Sequence, residues 1–320
     1  MLSEYGGCLP LEKIYKSNIP FRDLNKVEMN SGRSCILTAL RMMGIETIYI
    51  PHYLCPTVYE FLNSSKIMVK EYHIDNNFLP IEVKLKSDEM ILWTNYYGCM
   101  HDEILEVVLE KYNHNQLIID NTQAFFEEPV LDSWNVYSCR KFIGVPEGAY
   151  LVSNIIDDGI MEYEYSTCSW EYLEGASVFG SNHAYKKYNE NEKQFVLPKR
   201  MSVLVSEYLK SIDYELLQKK RNENFEILHR YLGNYNELDV DFSSKTSICY
   251  PFLYCNNMNL RKILLDNNIY TPIWWKKVAG SGLSNDFELY LSKNLIPIPM
   301  DQRYTSNDIK ELSVFIRGLL

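Results

Sequence analysis

Blocks of apolar residues with two different periods alternate along the first 150 residues. SGRSCILTALRMM (31–43) places Cys35, Ile36, Leu37, Ala39, Leu40 and Met43 in a helical rather than alternating pattern, with Gly44 as a stop. ETIYIP (46–51) reads as a short strand ended by Pro51, and a helix opens at Pro56 and runs to about Asn63. KIMVKEYHI (66–74), MILWTN (90–95) and QLIID (116–120) read as further strands. Between the last two, DEILEVVLEKY (102–112) carries Ile104, Leu105, Val108, Leu109 and Tyr112 on one helical side. NVYS (135–138) and GAYLVS (148–153) are strand-like segments on either side of a glycine-punctuated turn, SCRKFIGVPEG (138–148).

This alternation predicts an α/β fold built of parallel βαβ units, a mainly parallel sheet sandwiched by helices. In such sheets ligands gather at the carboxyl ends of strands. The polar clusters at 95–98, 120–123 and 138–141 each follow a strand end, so they are expected to converge on one edge. From about residue 154 to 199 the periodicity dissolves into tyrosine-rich, charged sequence, expected to be an irregular excursion over the surface or across a partner subunit. MSVLVSEYLKSIDYELLQKKRNENFEILHRYL (201–232) reads as one or two helices. Strands LDVDF, CYPFLYC and IYTPI, the helix LRKILLDN and a closing helix follow, with Thr305 and Asp308 as a capping box. The domain division is therefore 1–200, a large α/β domain, and 201–320, a smaller α+β domain.

With 42 acidic against 32 basic residues and a net charge of -10, scattered rather than clustered, the chain lacks the basic face that a nucleic-acid partner requires. No apolar run is long enough to span a bilayer, and the N-terminus shows no secretion signal, so a cytoplasmic protein is expected. The eight cysteines form no C-x-x-C pair and the six histidines no H-x-x-x-H pair, so no metal site is expected.

Three features of the strand ends carry chemistry. The helix opening Ser31-Gly32-Arg33-Ser34 offers unpaired amides and hydroxyls at a positive dipole end, suited either to a phosphate or to ordinary capping. Asp120, ending a buried strand, requires a cation or a hydrogen-bond donor. Lys141, if desolvated in its turn, has a lowered pKa and acts as a nucleophilic amine. Phosphate, ring cation and carbonyl are the three handles of pyridoxal phosphate.

With these residues the chain resembles the fold type I pyridoxal phosphate enzymes, in particular the DegT/StrS-type sugar aminotransferases. The glycine turn that holds the cofactor phosphate in that family matches Gly32, Arg33 and Ser34. Its Asp-x-x-Gln motif matches Asp120 and Gln123, and its serine before the Schiff-base lysine matches Ser138 and Lys141. Arg200-Met201-Ser202 and the stretch from Pro297 into the last helix resemble further family segments. Three departures accompany the match: Ser-x-x-Lys is shorter than the usual spacing, Glu147-Gly148-Ala149 replaces a glycine pair, and Pro198 stands where an asparagine usually precedes Arg-Met.

The resemblance implies that Asp120 pairs with the ring nitrogen, Gln123 lies near the ring, and Lys141 forms the Schiff base and moves the proton. Ser138 and the 32–34 turn would hold the phosphate. Tyr53, or else Tyr97, is expected to stack on the ring, and Arg140 to contact a phosphate or acidic substrate or to make an ion pair. It further implies a homodimer that transfers an amino group, with glutamate as donor and a keto-sugar nucleotide as acceptor, in surface polysaccharide or related sugar biosynthesis. A dehydratase branch of the family has histidine in place of the lysine. A catalytically silent binding or regulatory relative is the other alternative.

Overall fold

The computed structural model describes residues 16, 18–157, 162–241, 245–255 and 259–320. The alternating segments close into one seven-stranded sheet of β1 (Lys26–Met29), β2 (Thr47–Pro51), β3 (Met68–Tyr72), β4 (Glu89–Thr94), β5 (Leu117–Asp120), β6 (Trp134–Ser138) and β7 (Ala149–Val152). The strand order is β1-β7-β6-β5-β4-β2-β3. Neighbours from β3 through β6 run parallel, as the βαβ pattern predicts, and helices α1 (Gly32–Met42), α2 (Pro56–Ser64) and α3 (Asp102–Lys111) join them.

β7 departs from that expectation and pairs antiparallel with both β6 and β1. The chain leaves β6 at Ser138 through a 3-10 turn at Cys139–Lys141 and is back in the sheet at Ala149. A return that short has no room for the crossover that parallel pairing needs. The turn bearing Lys141 is thus a reversal at the carboxyl end of β6.

β4 to β7 are buried along their whole length, and the side chains alternate between a core shared by all four strands and, on the other face, one core under β4 and β5 and another under β6 and β7, where Tyr137, Tyr150 and Val152 pack with Phe142 and Val205. Met90, Leu92, Ile118 and Val136 face α1 and α2, packing with Ile36, Leu40 and Leu62. Ile91, Trp93, Leu117 and Ile119 face the other way and share a core with residues of the C-terminal part, among them Phe225, Phe252, Ile296 and Ile316.

The middle segment corrects the sequence reading. Residues 158–161 lie outside the described residues, but the rest of 154–199 includes α4 (Glu171–Phe179) and α5 (Ser181–Glu192), which pack against each other. Their apolar periodicity is weak because neither helix is amphipathic toward the main core: Val178, Phe179 and Tyr185 are exposed. The resembling segment at 200–202 then runs beside β1, where Met201 N–H donates to Glu28 O and Ser202 caps α6 (Val203–Leu209).

The chain continues through α7 (Tyr214–Leu232), β8 (Tyr250–Leu253), α8 (Leu260–Asp266), α9 (Lys276–Gly280), α10 (Asp286–Asn294), β9 (Leu295–Ile298) and α11 (Ser306–Arg317). β8 and β9 pair antiparallel, and Thr305 with Asp308 forms the expected capping box on α11. Two expected strands do not form. Leu238 to Asp241 of LDVDF, whose Phe242 lies outside the described residues, is irregular, and IYTPI runs as a loop. Both segments are apolar enough to read as strands, but the backbone of the Leu238–Asp241 stretch meets β8 only at its start, where Glu237 N–H donates to Leu253 O, and Asp241 N–H donates instead to Cys99 O in the loop after β4, so no ladder is built among the described residues. Among the described residues, no helix is long and apolar enough to cross a membrane.

Candidate active site

The carboxyl ends of β5 and β6 and the loop after β2 meet the amino end of α1 around a cavity of about 330 Å³, at the lower end of the size of small-molecule sites; the 95–98 cluster after β4 is tied to the β5 loop but does not line the cavity. Ser31, Gly32, Arg33, Asp120, Gln123, Ser138, Arg140 and Lys141 line it together, although they are spread over more than a hundred positions of the chain. Thr122, Tyr172, Tyr188, Glu192, Trp274 and Trp275 complete the polar and aromatic wall.

Glycine is required at two places for this convergence. A Cβ on Gly32 would lie 3.0 Å from the Thr122 methyl, so the bare backbone lets α1 begin against the β5 loop. At Gly98, φ is +71° and a Cβ would lie 2.5 Å from the Gln123 carbonyl oxygen. Gly98→Ala combines a left-handed backbone with that collision, and we expect it to lower the unfolding free energy by about 3 kcal/mol in urea titrations.

Lys141 Nζ donates to Thr122 Oγ1 at 3.0 Å. Its side chain opens onto the cavity and so keeps accessible surface. Desolvation there lowers its pKa below the ordinary value of 10.5, against the attraction of the Asp120 carboxylate. Asp120 itself is buried and accepts from the Thr122 amide at 3.0 Å, the one hydrogen bond to its carboxylate among the described residues.

That lowered pKa has a consequence for stability. Between the lowered value and 10.5 the folded chain binds fewer protons than the unfolded one, so this group makes stability rise with pH across that window. Below the window the ammonium is charged in both states and carries its desolvation penalty, reduced by the solvent that its exposed side chain keeps. Lys141→Met is therefore expected to melt at a higher temperature than wild type at pH 7, and the difference should shrink as the pH approaches 10.5. An unchanged difference at both pH values would contradict the lowered pKa.

Gln123 uses its side-chain oxygen to accept from the Tyr97 amide at 2.9 Å, which ties the β4 loop to the β5 loop. Ser31 is the cap of α1 and lies on the cavity wall. Ser34 does not: it is fully buried and its hydroxyl donates to Asn30 Oδ1 at 2.6 Å, because the first helical turn rotates it toward the core. Tyr53 is likewise absent from the wall. It is fully buried behind it, its hydroxyl 3.2 Å from that of Tyr97 and its ring edge-on to Trp275 at 4.9 Å. Tyr97 stacks on Trp274, with ring centroids 5.9 Å apart and planes within 5° of parallel. The two tryptophans thus form the aromatic wall and the two tyrosines support it from behind.

Arg140 ends in the ion pair that the sequence reading left open. It donates to Glu192 Oε1 from the last turn of α5, and Arg33 approaches Glu192 Oε2 at 3.7 Å. Trp274, Trp275, Thr122 and Glu192 had no sequence signal of their own; the adjacent tryptophans in IWWKK and the threonine inside Asp-Asn-Thr-Gln were the nearest clues.

No protein-family model matches the chain, and no curated protein matches it. Solved structures do. The sugar aminotransferase CalS13 from Micromonospora echinospora superposes with a TM-score of 0.62 at 15% identity, over 92% of this chain and 87% of that one. A DegT DnrJ EryC1 StrS aminotransferase from Brucella abortus gives 0.58 at 12%, over 93% and 87%. NtdA from Bacillus subtilis, solved with bound cofactor PMP, gives 0.62 at 12%, over 92% and 74%. The chain therefore has the fold of the fold type I aminotransferases, and the resemblance read from the sequence is matched at the level of architecture.

Proposed function

We propose that the protein is a pyridoxal phosphate-dependent aminotransferase acting on a sugar, with glutamate as amino donor and a keto-sugar nucleotide as acceptor. The observation that carries this reading is the meeting, in one cavity, of a desolvated lysine amine, a buried carboxylate with a single backbone donor, and a helix amino end flanked by Ser31 and Ser138. The donor set fits the cofactor on all three handles. A carboxylate as buried as Asp120 calls for a cationic partner, which a protonated ring nitrogen provides. The α1 amides with the Ser31 and Ser138 hydroxyls suit a phosphate, and the Lys141 amine suits an aldehyde.

Pyridoxal phosphate, when bound, supplies a carbonyl that captures an amine and a ring that accepts the electron pair released beside it. The chain supplies the rest. Asp120 would hold the ring nitrogen in its protonated form, and the lowered pKa of Lys141 would leave Nζ able to take a proton from the substrate carbon and return it. Thr122 holds that amine in place, and Trp274 and Trp275 exclude water from the cavity. The proximity of these groups on rigid strand ends favours catalysis by positioning.

The exposed apolar side chains Val178, Phe179, Tyr185, Val196, Leu197 and Val203 follow one another along the stretch from α4 to α6. This supports a homodimer in which a second copy covers them. The function is tested by the visible absorption spectrum of the protein mixed with pyridoxal phosphate. We expect a band above that of the free cofactor, bleached by glutamate and restored by a keto-sugar nucleotide; a protein that gives no band does not carry this activity.

A further inference from the structure

The guanidiniums of Arg33 and Arg140 share the single carboxylate of Glu192. Both also lie over the Phe195 ring, at 5.6 and 4.8 Å from its centroid, which fixes the two cations from beneath. Two positive charges thus face one negative charge, and the Arg140 Nε–H is buried with no acceptor among the described residues. A buried donor left unmet beside a half-neutralised cation pair is the arrangement of an anion site that holds a substitute.

The surroundings support the same conclusion. Arg33, Thr57 and Glu192 also line a second cavity of about 320 Å³, bounded further by Lys193, Phe195 and Val196. The Arg33–Glu192 contact therefore stands where the two cavities adjoin. Arg140 and Lys141 line the same cavity, so an anion held by Arg140 shares it with the amine. Glu192 is the last residue of α5, and α4 and α5 pack chiefly against each other. Burial pulls the pKa of both arginines down; it prevails at Arg33, whereas at Arg140 Glu192 with Tyr188 and Tyr172 leaves the pKa raised, so Arg33 is the less well neutralised of the two.

We propose that Arg33 and Arg140 form an oxyanion subsite, for phosphate chemistry, that Glu192 occupies in the ligand-free protein and vacates when the anion binds. This deepens the proposed function and rests on it only for placing the anion next to a reacting amine. The phosphate could come from the cofactor or from a nucleotide-linked substrate, and the two sources can be separated by experiment.

The test is calorimetric titration of the whole protein with inorganic phosphate, for wild type, Glu192→Gln, Glu192→Ala and the triple variant Arg33→Ala/Arg140→Ala/Glu192→Gln. The Glu192 side chain is 30% exposed at a helix end, so both single substitutions are expected to leave the fold intact. We expect Glu192→Gln and Glu192→Ala to bind phosphate roughly tenfold more tightly than wild type, an advantage that fades with salt. The triple variant should lose it. A gain seen only without pyridoxal phosphate assigns the subsite to the cofactor's phosphate, and a gain that persists in its presence assigns it to a substrate anion. Equal affinity in wild type and both Glu192 variants, or a gain that survives removal of the arginines, overturns the subsite. Phosphate binding is read without any visible band, so a protein lacking the band but showing this titration would lose the proposed function and keep the subsite.

Discussion

Lys141→Ala is expected to abolish the visible band formed with pyridoxal phosphate and to reduce amino transfer by roughly 10⁴-fold or more. The size of the effect follows from its position. Among the described residues Lys141 is the one lysine on the cavity wall, it is held by Thr122 at 3.0 Å, and desolvation lowers its pKa. A neutral amine attacks a carbonyl and shuttles a proton, and no other side chain lining the cavity can do both. Binding of the cofactor phosphate should survive, because Ser31, Gly32 and Ser138 are untouched, so equilibrium dialysis should still detect pyridoxal phosphate on the variant. Full activity in Lys141→Ala would remove the nucleophile from this reading.

Asp120→Asn should be the next most damaging substitution, lowering the rate on the order of 10²- to 10³-fold. The amide has the shape of the carboxylate and can still accept from the Thr122 amide, so the β5 loop should keep its conformation. It cannot hold a ring nitrogen in its protonated form, and it removes the attraction that opposes desolvation at Lys141. The Lys141 pKa should therefore fall further, and the pH dependence of the visible band should move toward lower pH. A variant with reduced rate but an unmoved pH profile would point to a role for Asp120 in loop geometry alone.

The two variants separate functions that the wall combines. Thr122 links them physically, since its hydroxyl accepts from Lys141 and its amide donates to Asp120. It sits between the expected Asp120 and Gln123 and its neighbours give no hint of this double use. Only when β5 and β6 lie side by side, with Asp120 paired to Val136, does the turn after β6 come within reach of the loop after β5.

The sequence by itself determined the elements whose cause is local. Apolar period, Pro51, Pro56 and Gly44 mark β2, α1 and α2, and the alternation of strands with helices requires a mainly parallel sheet with its ligand edge at the strand ends. Asp120, Gln123, Ser138, Lys141 and Gly32 all reach one cavity because each directly follows a strand or opens a helix, and such positions are legible in one dimension. What depends on packing between distant segments was decided only by the tertiary structure. The reversal of β7, the pairing of α4 with α5, and the failure of LDVDF and IYTPI to join a sheet all turn on which backbone is near enough to share hydrogen bonds. The same holds for the aromatic wall. Tyr53 and Trp275 are both large and aromatic, and what puts the tryptophan on the cavity and the tyrosine behind it is the packing of the loop after α8, more than two hundred residues further along the chain.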